Sequence, residues 1–224
     1  MGWECKCPQV TSAYEYDPAI DKFRGILREY SLIGYHCTKL TKEEIIDVHE
    51  NGLLLQDSLS LQKRISRLEE ISLIDSDVSQ ALASENQADD SNRVNMLWFC
   101  FYEPFLAGQH GIERFFRSWG GEALYNYHES NPLTGKVISS VGTACVIKSK
   151  VPIESLDDSF YPDRSMIRVF LANRGHKLDN CIEHDAFSTK KIEPQNILDI
   201  FEHPSEGFIA LTKCDEWSSY DEAL

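Results

Sequence analysis

The spacing of apolar residues along the chain predicts a series of amphipathic helices. Residues three and four positions apart share one face of a helix, so apolar residues at that spacing indicate a helix that packs on a core. The pattern is present in residues 19–30, 41–51, 54–79, 111–127 and 163–174. The helix over 41–51 has a strong start signal, because Thr41 and Glu44 stand at the two positions of a capping box.

Apolar residues between these helices predict strands. We expect buried strands at 32–35, 96–102 and 142–153, further strands at 181–192 and 197–200, and an edge strand at 208–211. Helices that separate the early strands, followed by strands that cluster late, predict a mixed α+β fold. The length of 224 residues fits a single domain over residues 1–224.

Two segments stand apart from this pattern. Residues 1–30 are predicted to form an N-terminal extension that leads into the first helix. Residues 80–95 are polar and poor in aromatic side chains, which predicts an exposed loop. We expect this loop to contribute to the selection of a macromolecular target.

The charge of the chain restricts its partners. The sequence has 36 acidic and 22 basic residues, which gives a formal net charge of −14. Broad binding to a nucleic acid depends on clusters of Lys and Arg that replace phosphate counterions, so the composition argues against it. The composition favours a protein as the macromolecular partner, including one with a basic surface.

The cysteines and the hydropathy indicate a cytoplasmic protein. The seven Cys are an odd number, and buried thiols in a reducing compartment explain them better than disulfides do. No apolar run approaches the roughly 20 residues that span a bilayer, so we expect no membrane segment, and residues 1–8 lack the apolar core of a signal peptide. One cluster of metal-ligand type has no second matched pair, so no metal site is predicted. Its members are His176, Cys181, His184 and Asp185.

The order Tyr35-His36-x-Thr38, helix, Gly52-Leu53 suggests a function. It resembles the first motif of the ADP-ribosyltransferase fold, in its diphtheria-toxin-like and poly-ADP-ribose-polymerase-like branch. The resemblance implies a split β-sheet core with inserted helices, and NAD as the substrate. In this resemblance His36 stands at the end of the first strand. The resemblance implies that His36 binds NAD together with Thr38 and Gly52.

Two further motifs of the family match less closely. The resemblance assigns Tyr125 to stack on nicotinamide, and Tyr127 and Trp119 are alternatives for that ring. The resemblance assigns the catalytic acid to Glu183, because in the family an apolar residue follows the catalytic Glu by nine positions before a last strand, as Ile192 follows Glu183 here. A fixed carboxylate there would stabilise the oxocarbenium character that develops when the nicotinamide–ribose bond breaks. Asp185 lies two residues along, on the same strand face, and could serve instead.

The resemblance therefore implies an NAD-dependent ADP-ribosyltransferase that modifies a macromolecular target, with His36 and Glu183 as catalytic residues. Compact transferases of this kind often act as toxins. Two alternatives stay open: an NAD glycohydrolase, which uses water as the acceptor, and a non-enzymatic acidic protein that binds or inhibits a basic partner. The RNA 2'-phosphotransferase branch of the family fits less well, because it needs several basic residues on an RNA phosphate.

Overall fold

A computed structural model describes residues 13–178 and 184–218 of the chain, and within them five strands form one antiparallel sheet. The strands are β1 (Ser31–Leu40), β2 (Leu97–Cys100), β3 (Thr143–Pro152), β4 (Asp185–Ser188) and β5 (Ile197–Glu202), in the spatial order β4-β2-β1-β3-β5. The mixed α+β fold predicted from the apolar pattern is confirmed.

Helices cover the sheet and fill the long connections between its strands. They are α1 (Ala13–Leu27), α2 (Lys42–Asn51), α3 (Ser58–Glu70), α4 (Ser76–Ser84), α5 (Gln109–Arg117), α6 (Glu122–His128), α7 (Gly135–Ser140), α8 (Asp163–Asn173) and α9 (Glu206–Thr212). Single-turn 3-10 segments, including Pro104–Ala107 and Pro194–Asn196, join some of these elements. Within the described residues, no helix combines the length and apolar character that a membrane crossing requires.

The sheet is continuous on one side of β1 and barely joined on the other. Strands β1 and β3 pair along their whole length, from Ser31 opposite Pro152 to Leu40 opposite Thr143. Strands β1 and β2, in contrast, pair at a single position, Tyr35 opposite Cys100. The β2–β4 pair is otherwise joined to the larger β1–β3–β5 unit through backbone hydrogen bonds between β4 and the segment 155–157 that follows β3.

The two faces of the sheet bury different helices. Residues directly opposite each other in an antiparallel pair share a face. One face packs Cys145, Ile147 and Phe99 against Ile45 and Val48 of α2. The other face is covered by α5 and α9, whose buried residues Ile112, Phe116 and Phe208 lie against Ala144 and Val146 of β3. A separate apolar cluster joins α3, α4, α6 and α7 beside the sheet.

Helix α2 confirms the prediction made for residues 41–51. Thr41 accepts from the Glu44 amide and Glu44 accepts from the Thr41 amide, so both halves of the capping box are formed. The segment 54–79 contains the helices α3 and α4, and α4 extends to Ser84, into the segment predicted as a loop. Buried Val78 and Leu82 hold it there, because they share one apolar face. The first helix lies earlier than predicted, over Ala13–Leu27.

Two expectations about strands are wrong. Residues 208–211 form part of helix α9, because Ser205 caps that helix and Phe208 turns inward to the core. His36 lies in the middle of β1, not at its end, because the strand continues to Leu40 on its partner β3. The crevice beside His36 arises instead from the separation of β1 and β2 beyond their one pair.

Candidate functional site

A cavity of about 630 Å³ lies where β1 and β2 separate. Its walls come from β1 (residues 35–38), β2, α3, the connection over 88–96, α5 and residues 120–123. Parts of the chain that are distant in sequence therefore meet around one space. A volume of this size is typical of small-molecule sites, which span roughly 300–1,000 Å³.

His36 and Thr38 both line this cavity. The Nδ1 atom of His36 is 2.9 Å from the Trp98 carbonyl oxygen. Because a carbonyl can only accept, Nδ1 carries the hydrogen, and Nε2 of the neutral ring is an acceptor. Burial lowers the pKa of His36 below its ordinary value of 6.5, so the neutral form is present at pH 7. The site thus offers a fixed acceptor to a hydroxyl group of a ligand.

Arg64 brings a positive charge to the cavity wall and is held by a network. Its Nε donates to Oε1 of Glu44 at 2.6 Å, and its guanidinium lies 4.8 Å from the Trp119 ring centroid. The other Glu44 oxygen accepts from the Trp119 indole at 2.9 Å and from the Thr41 amide at 2.8 Å. The capping carboxylate of α2 therefore also orients a cation of α3 toward the cavity.

Arg93 brings a second positive charge to the cavity from within the segment predicted as an exposed loop. Its side chain is 16% exposed, and it pairs with Asp90 at 3.0 Å and Glu122 at 3.5 Å. The segment is tied to its surroundings, since the Gln87 amide donates to the Ala123 carbonyl oxygen and the Asn95 amide to that of Gln56. Residues 85–95 thus form part of the cavity wall, although several of their acidic side chains are exposed.

None of the three predicted nicotinamide-stacking rings lines the cavity. Tyr125 is 4% exposed and lies behind the wall, in a T-shaped contact with Phe115 at 6.3 Å between ring centroids and with the Arg114 guanidinium 4.0 Å from its own ring centroid. Trp119 is fully buried, and Tyr127 is 54% exposed outside the cavity. Phe115 does line the cavity, and Tyr125 supports it from behind.

Gly52 lies at the end of α2 and does not line the cavity. Its φ of +79° favours glycine, and a Cβ there would stand 1.9 Å from the Ile192 carbonyl oxygen. Leu53 and Ile192 exchange two backbone hydrogen bonds of 2.9 Å across this junction. The glycine therefore allows α2 to end in close contact with the backbone at Ile192.

Of the two predicted acids, Glu183 lies outside the described residues. The alternative, Asp185, is the first residue of β4 and lines the cavity. Its carboxylate accepts from the Tyr102 hydroxyl at 3.2 Å. The neighbouring His184 stacks on Phe101 and lies 3.4 Å from the Ser165 hydroxyl. The Asp185 carboxylate at the start of β4 therefore lines the same cavity as His36.

Cys37 and Cys100 also line the cavity, on adjacent strands. A hydrogen bond with Cys100 and burial hold the pKa of Cys37 well above its ordinary value. A thiol with a raised pKa stays protonated at pH 7 and is a poor nucleophile. Within residues 13–178 and 184–218, no group of three or more His, Cys, Asp or Glu side chains could hold a metal ion.

Sequence reasoning missed several residues of the cavity wall, including Gln56, Arg64, Arg93, Trp98 and Phe115. Arg64 falls on the polar side of an amphipathic helix, where solvent exposure is the ordinary expectation. Arg93 falls in a polar stretch with no periodicity. No local signal distinguishes either residue from a surface cation, so only their meeting at one cavity identifies them.

Comparison with protein-family models, with curated proteins and with solved structures finds no match to this chain. The functional interpretation therefore rests on the short motifs and on the geometry of the cavity.

Proposed function

We propose that the protein binds NAD in this cavity, cleaves the nicotinamide–ribose bond and transfers ADP-ribose to a macromolecular acceptor. The observation that carries the proposal is that His36, Thr38 and Asp185 line one cavity of about 630 Å³. The resemblance to ADP-ribosyltransferases assigned His36 and Thr38 to one site with Glu183, about 150 positions away, and Asp185 is the alternative acid two residues from Glu183. The single pair between β1 and β2 supports the split-sheet core that the resemblance implies.

The polar groups of the cavity suit a dinucleotide. Nε2 of His36 can accept a hydrogen bond from a ribose hydroxyl, and the Thr38 hydroxyl can complete that contact. Arg64 and Arg93 place two guanidinium groups at the cavity in a chain of net charge −14. Guanidinium groups match the oxygens of a diphosphate. Phe115 offers the cavity an aromatic ring on which a flat heterocycle can stack.

The reaction requires a carboxylate beside the ribose. The electron pair of the C–N bond leaves with neutral nicotinamide, and the ribose carbon gains oxocarbenium character that a carboxylate stabilises. A nucleophilic atom of the acceptor then bonds to that carbon and loses its proton. Glu183 is the carboxylate that the family motif assigns, and Asp185, on the cavity wall, is the alternative.

Calorimetric titration of NAD, together with an assay of nicotinamide release, tests the proposal. We expect wild-type protein to bind NAD and release nicotinamide. His36→Ala should weaken binding, and either Glu183→Gln or Asp185→Asn should slow release by about 100- to 1,000-fold. His49→Ala is the matched control, because His49 is exposed on α2 and does not line the cavity.

The products distinguish the outcomes. A labelled acceptor supports the transferase, whereas free ADP-ribose as the sole product indicates a glycohydrolase. Full activity of both acid variants would contradict the mechanism. Absence of binding at about 1 mM NAD, an affinity weaker than about −4 kcal/mol, would overturn the proposal and favour an acidic binding protein.

A further inference from the structure

Glu122 is a carboxylate of the cavity wall that the proposed reaction does not use. Its side chain is 43% exposed, and its Oε1 atom accepts from the Tyr125 hydroxyl at 3.1 Å. Burial and the charge of Glu122 raise the pKa of Tyr125, so this hydroxyl stays protonated and donates. The Oε2 atom of Glu122 lies 3.5 Å from Nε of Arg93, which is buried without a hydrogen-bond partner in the described part of the chain. The protein therefore fixes one carboxylate oxygen, and the other can accept from a ligand.

The charges around Glu122 do not cancel. Arg93 also pairs with Asp90, whose Oδ2 atom accepts from it at 3.0 Å. Arg114 is a further cation of α5, and it pairs with Glu129 at 2.7 Å. Three carboxylates and two guanidinium groups therefore leave one negative charge. Glu122 lines the cavity whereas Asp90 does not, so this excess borders the cavity at Glu122 and favours a positively charged group there.

An aromatic ring and glycines line the same part of the cavity. Phe115 contacts Tyr125 at 6.3 Å between ring centroids, so one tyrosine supports both the Phe115 ring and the Glu122 carboxylate. Gly111 lies four residues before Phe115 on α5, and Gly121 directly precedes Glu122. All of these residues except Tyr125 line the cavity, and a Cβ on Gly121 would meet nothing within 4 Å. We name Gly111, Phe115, Gly121 and Glu122 the Glu122 pocket.

We propose that the Glu122 pocket binds the positively charged pyridinium ring of NAD and discriminates it from the neutral ring of NADH. The inference rests on the proposed function, and it assigns nicotinamide, rather than adenine, to Phe115. The ring stacks on Phe115, its carboxamide N–H donates to Oε2 of Glu122, and the carboxylate stabilises the charge of the ring. NAD carries a negative diphosphate and a positive ring on either side of one ribose. The adjacent Arg93 and Glu122 complement these two charges in turn.

In this arrangement Glu122 determines specificity and does not promote bond cleavage. The pyridinium charge disappears as the C–N bond breaks, because the electron pair leaves with neutral nicotinamide. The Glu122 carboxylate therefore stabilises bound NAD at least as much as the transition state. Glu122→Gln should raise KM for NAD by at least about tenfold and leave kcat unchanged or higher, whereas the acid variants Glu183→Gln and Asp185→Asn should lower kcat.

Calorimetric titration with NAD and with NADH tests the proposal. Wild-type protein should bind NAD at least about tenfold more tightly than NADH. Glu122→Gln keeps the size of the side chain and an acceptor for Tyr125. It should weaken NAD binding by at least about tenfold and NADH binding by less than about threefold. Phe115→Leu should weaken the binding of both dinucleotides, because it removes a stacking surface and no charge.

The matched control is Asp90→Asn, which removes the same charge from the other carboxylate partner of Arg93. It should change the ratio of NAD to NADH affinity by less than about threefold, because Asp90 does not line the cavity. An effect on this ratio equal to that of Glu122→Gln would overturn the proposal. Equal losses of NAD and NADH affinity in Glu122→Gln would also overturn it and would favour adenine on Phe115.

A fragment separates this inference from the proposed NAD chemistry. Nicotinamide methylated on its ring nitrogen is a pyridinium cation without ribose or phosphate. By saturation-transfer NMR it should bind wild-type protein more tightly than neutral nicotinamide, and Glu122→Gln should remove the difference. Binding of this cation without binding of NAD would overturn the proposed function alone. Release of nicotinamide from NAD together with equal affinity for NAD and NADH would overturn the inference alone, and binding of neither NAD nor the cation would overturn both.

Discussion

At the scale of single residues, Glu44 connects three elements that surround the cavity. Its carboxylate caps α2, pairs with Arg64 of α3 and accepts from the Trp119 indole before α6. Burial opposes the ionisation of Glu44, but Arg64, the Thr41 amide and the indole outweigh it and lower its pKa. The neighbouring Glu43 is exposed and offers a control at the same helix start.

Glu44→Ala should lower the free energy of unfolding by about 2–4 kcal/mol, because it removes a partly buried ion pair and leaves Arg64 and Trp119 without their acceptor. Glu43→Ala should change it by less than about 1 kcal/mol. Urea unfolding of both variants measures the difference. Equal losses in the two variants would mean that Glu44 acts only as one more acid in the first turn of α2.

The contribution of Glu44 should depend on pH. A carboxylate whose pKa is lower in the folded state stabilises the fold above its ordinary pKa of 4.5, and the stabilisation is lost as the pH falls through the folded-state pKa. The difference in unfolding free energy between wild type and Glu44→Gln should be largest near neutral pH and should shrink below pH 4.5. A difference that stays constant at acid pH would contradict this assignment.

His36 should make NAD binding sensitive to acid. Its pKa lies below 6.5, so the ring is neutral above that pH and Nε2 can accept a hydrogen bond. Protonation at lower pH removes this acceptor. NAD affinity should be constant from neutral pH down to 6.5 and fall below it. His36→Asn, which does not titrate there, should bind more weakly with a flatter profile by calorimetry; parallel profiles would exclude His36 as the titrating group.

At the scale of elements, local signals and long-range packing contribute differently. The start of α2 follows from Thr41 and Glu44 alone, because a capping box involves residues three apart. Residues 208–211 illustrate the opposite case. Four apolar residues are equally compatible with a strand and with a buried helix. The cap at Ser205 and the inward packing of Phe208 favour the helix α9.

The junction between α2 and the Ile192 backbone should be intolerant of a side chain. Gly52→Ala places a Cβ 1.9 Å from the Ile192 carbonyl oxygen at a φ of +79°, so we expect a loss of more than about 3 kcal/mol in unfolding free energy. Gly25→Ala is the control, because a Cβ there meets nothing within 4 Å and α1 should gain about 0.5–1 kcal/mol. Thermal unfolding tests both; a well-tolerated Gly52→Ala would contradict this packing.

At the scale of the whole molecule, the cavity lies between two parts of the sheet, β2–β4 and β1–β3–β5. Strands β1 and β2 pair at one position between these parts, Tyr35 opposite Cys100. A ligand that contacts both parts should reduce their separate opening. Hydrogen exchange with saturating NAD should therefore slow in β2, in the connection over 88–96 and in α3. Strand β5, on the far side of β3, should change little. Slowing confined to β3 and β5 would place the ligand elsewhere.

The sequence by itself determined the α+β class, the capped helix α2 and the main apolar strands, because each depends on residues close together along the chain. A short motif of the sequence also identified His36 and Thr38 as candidate site residues. Only the tertiary structure decided which side chains meet at the cavity. Arg64 and Arg93 reach it, and Tyr125 lies behind its wall, because the rotation of each helix and the separation of β1 from β2 depend on contacts between distant segments.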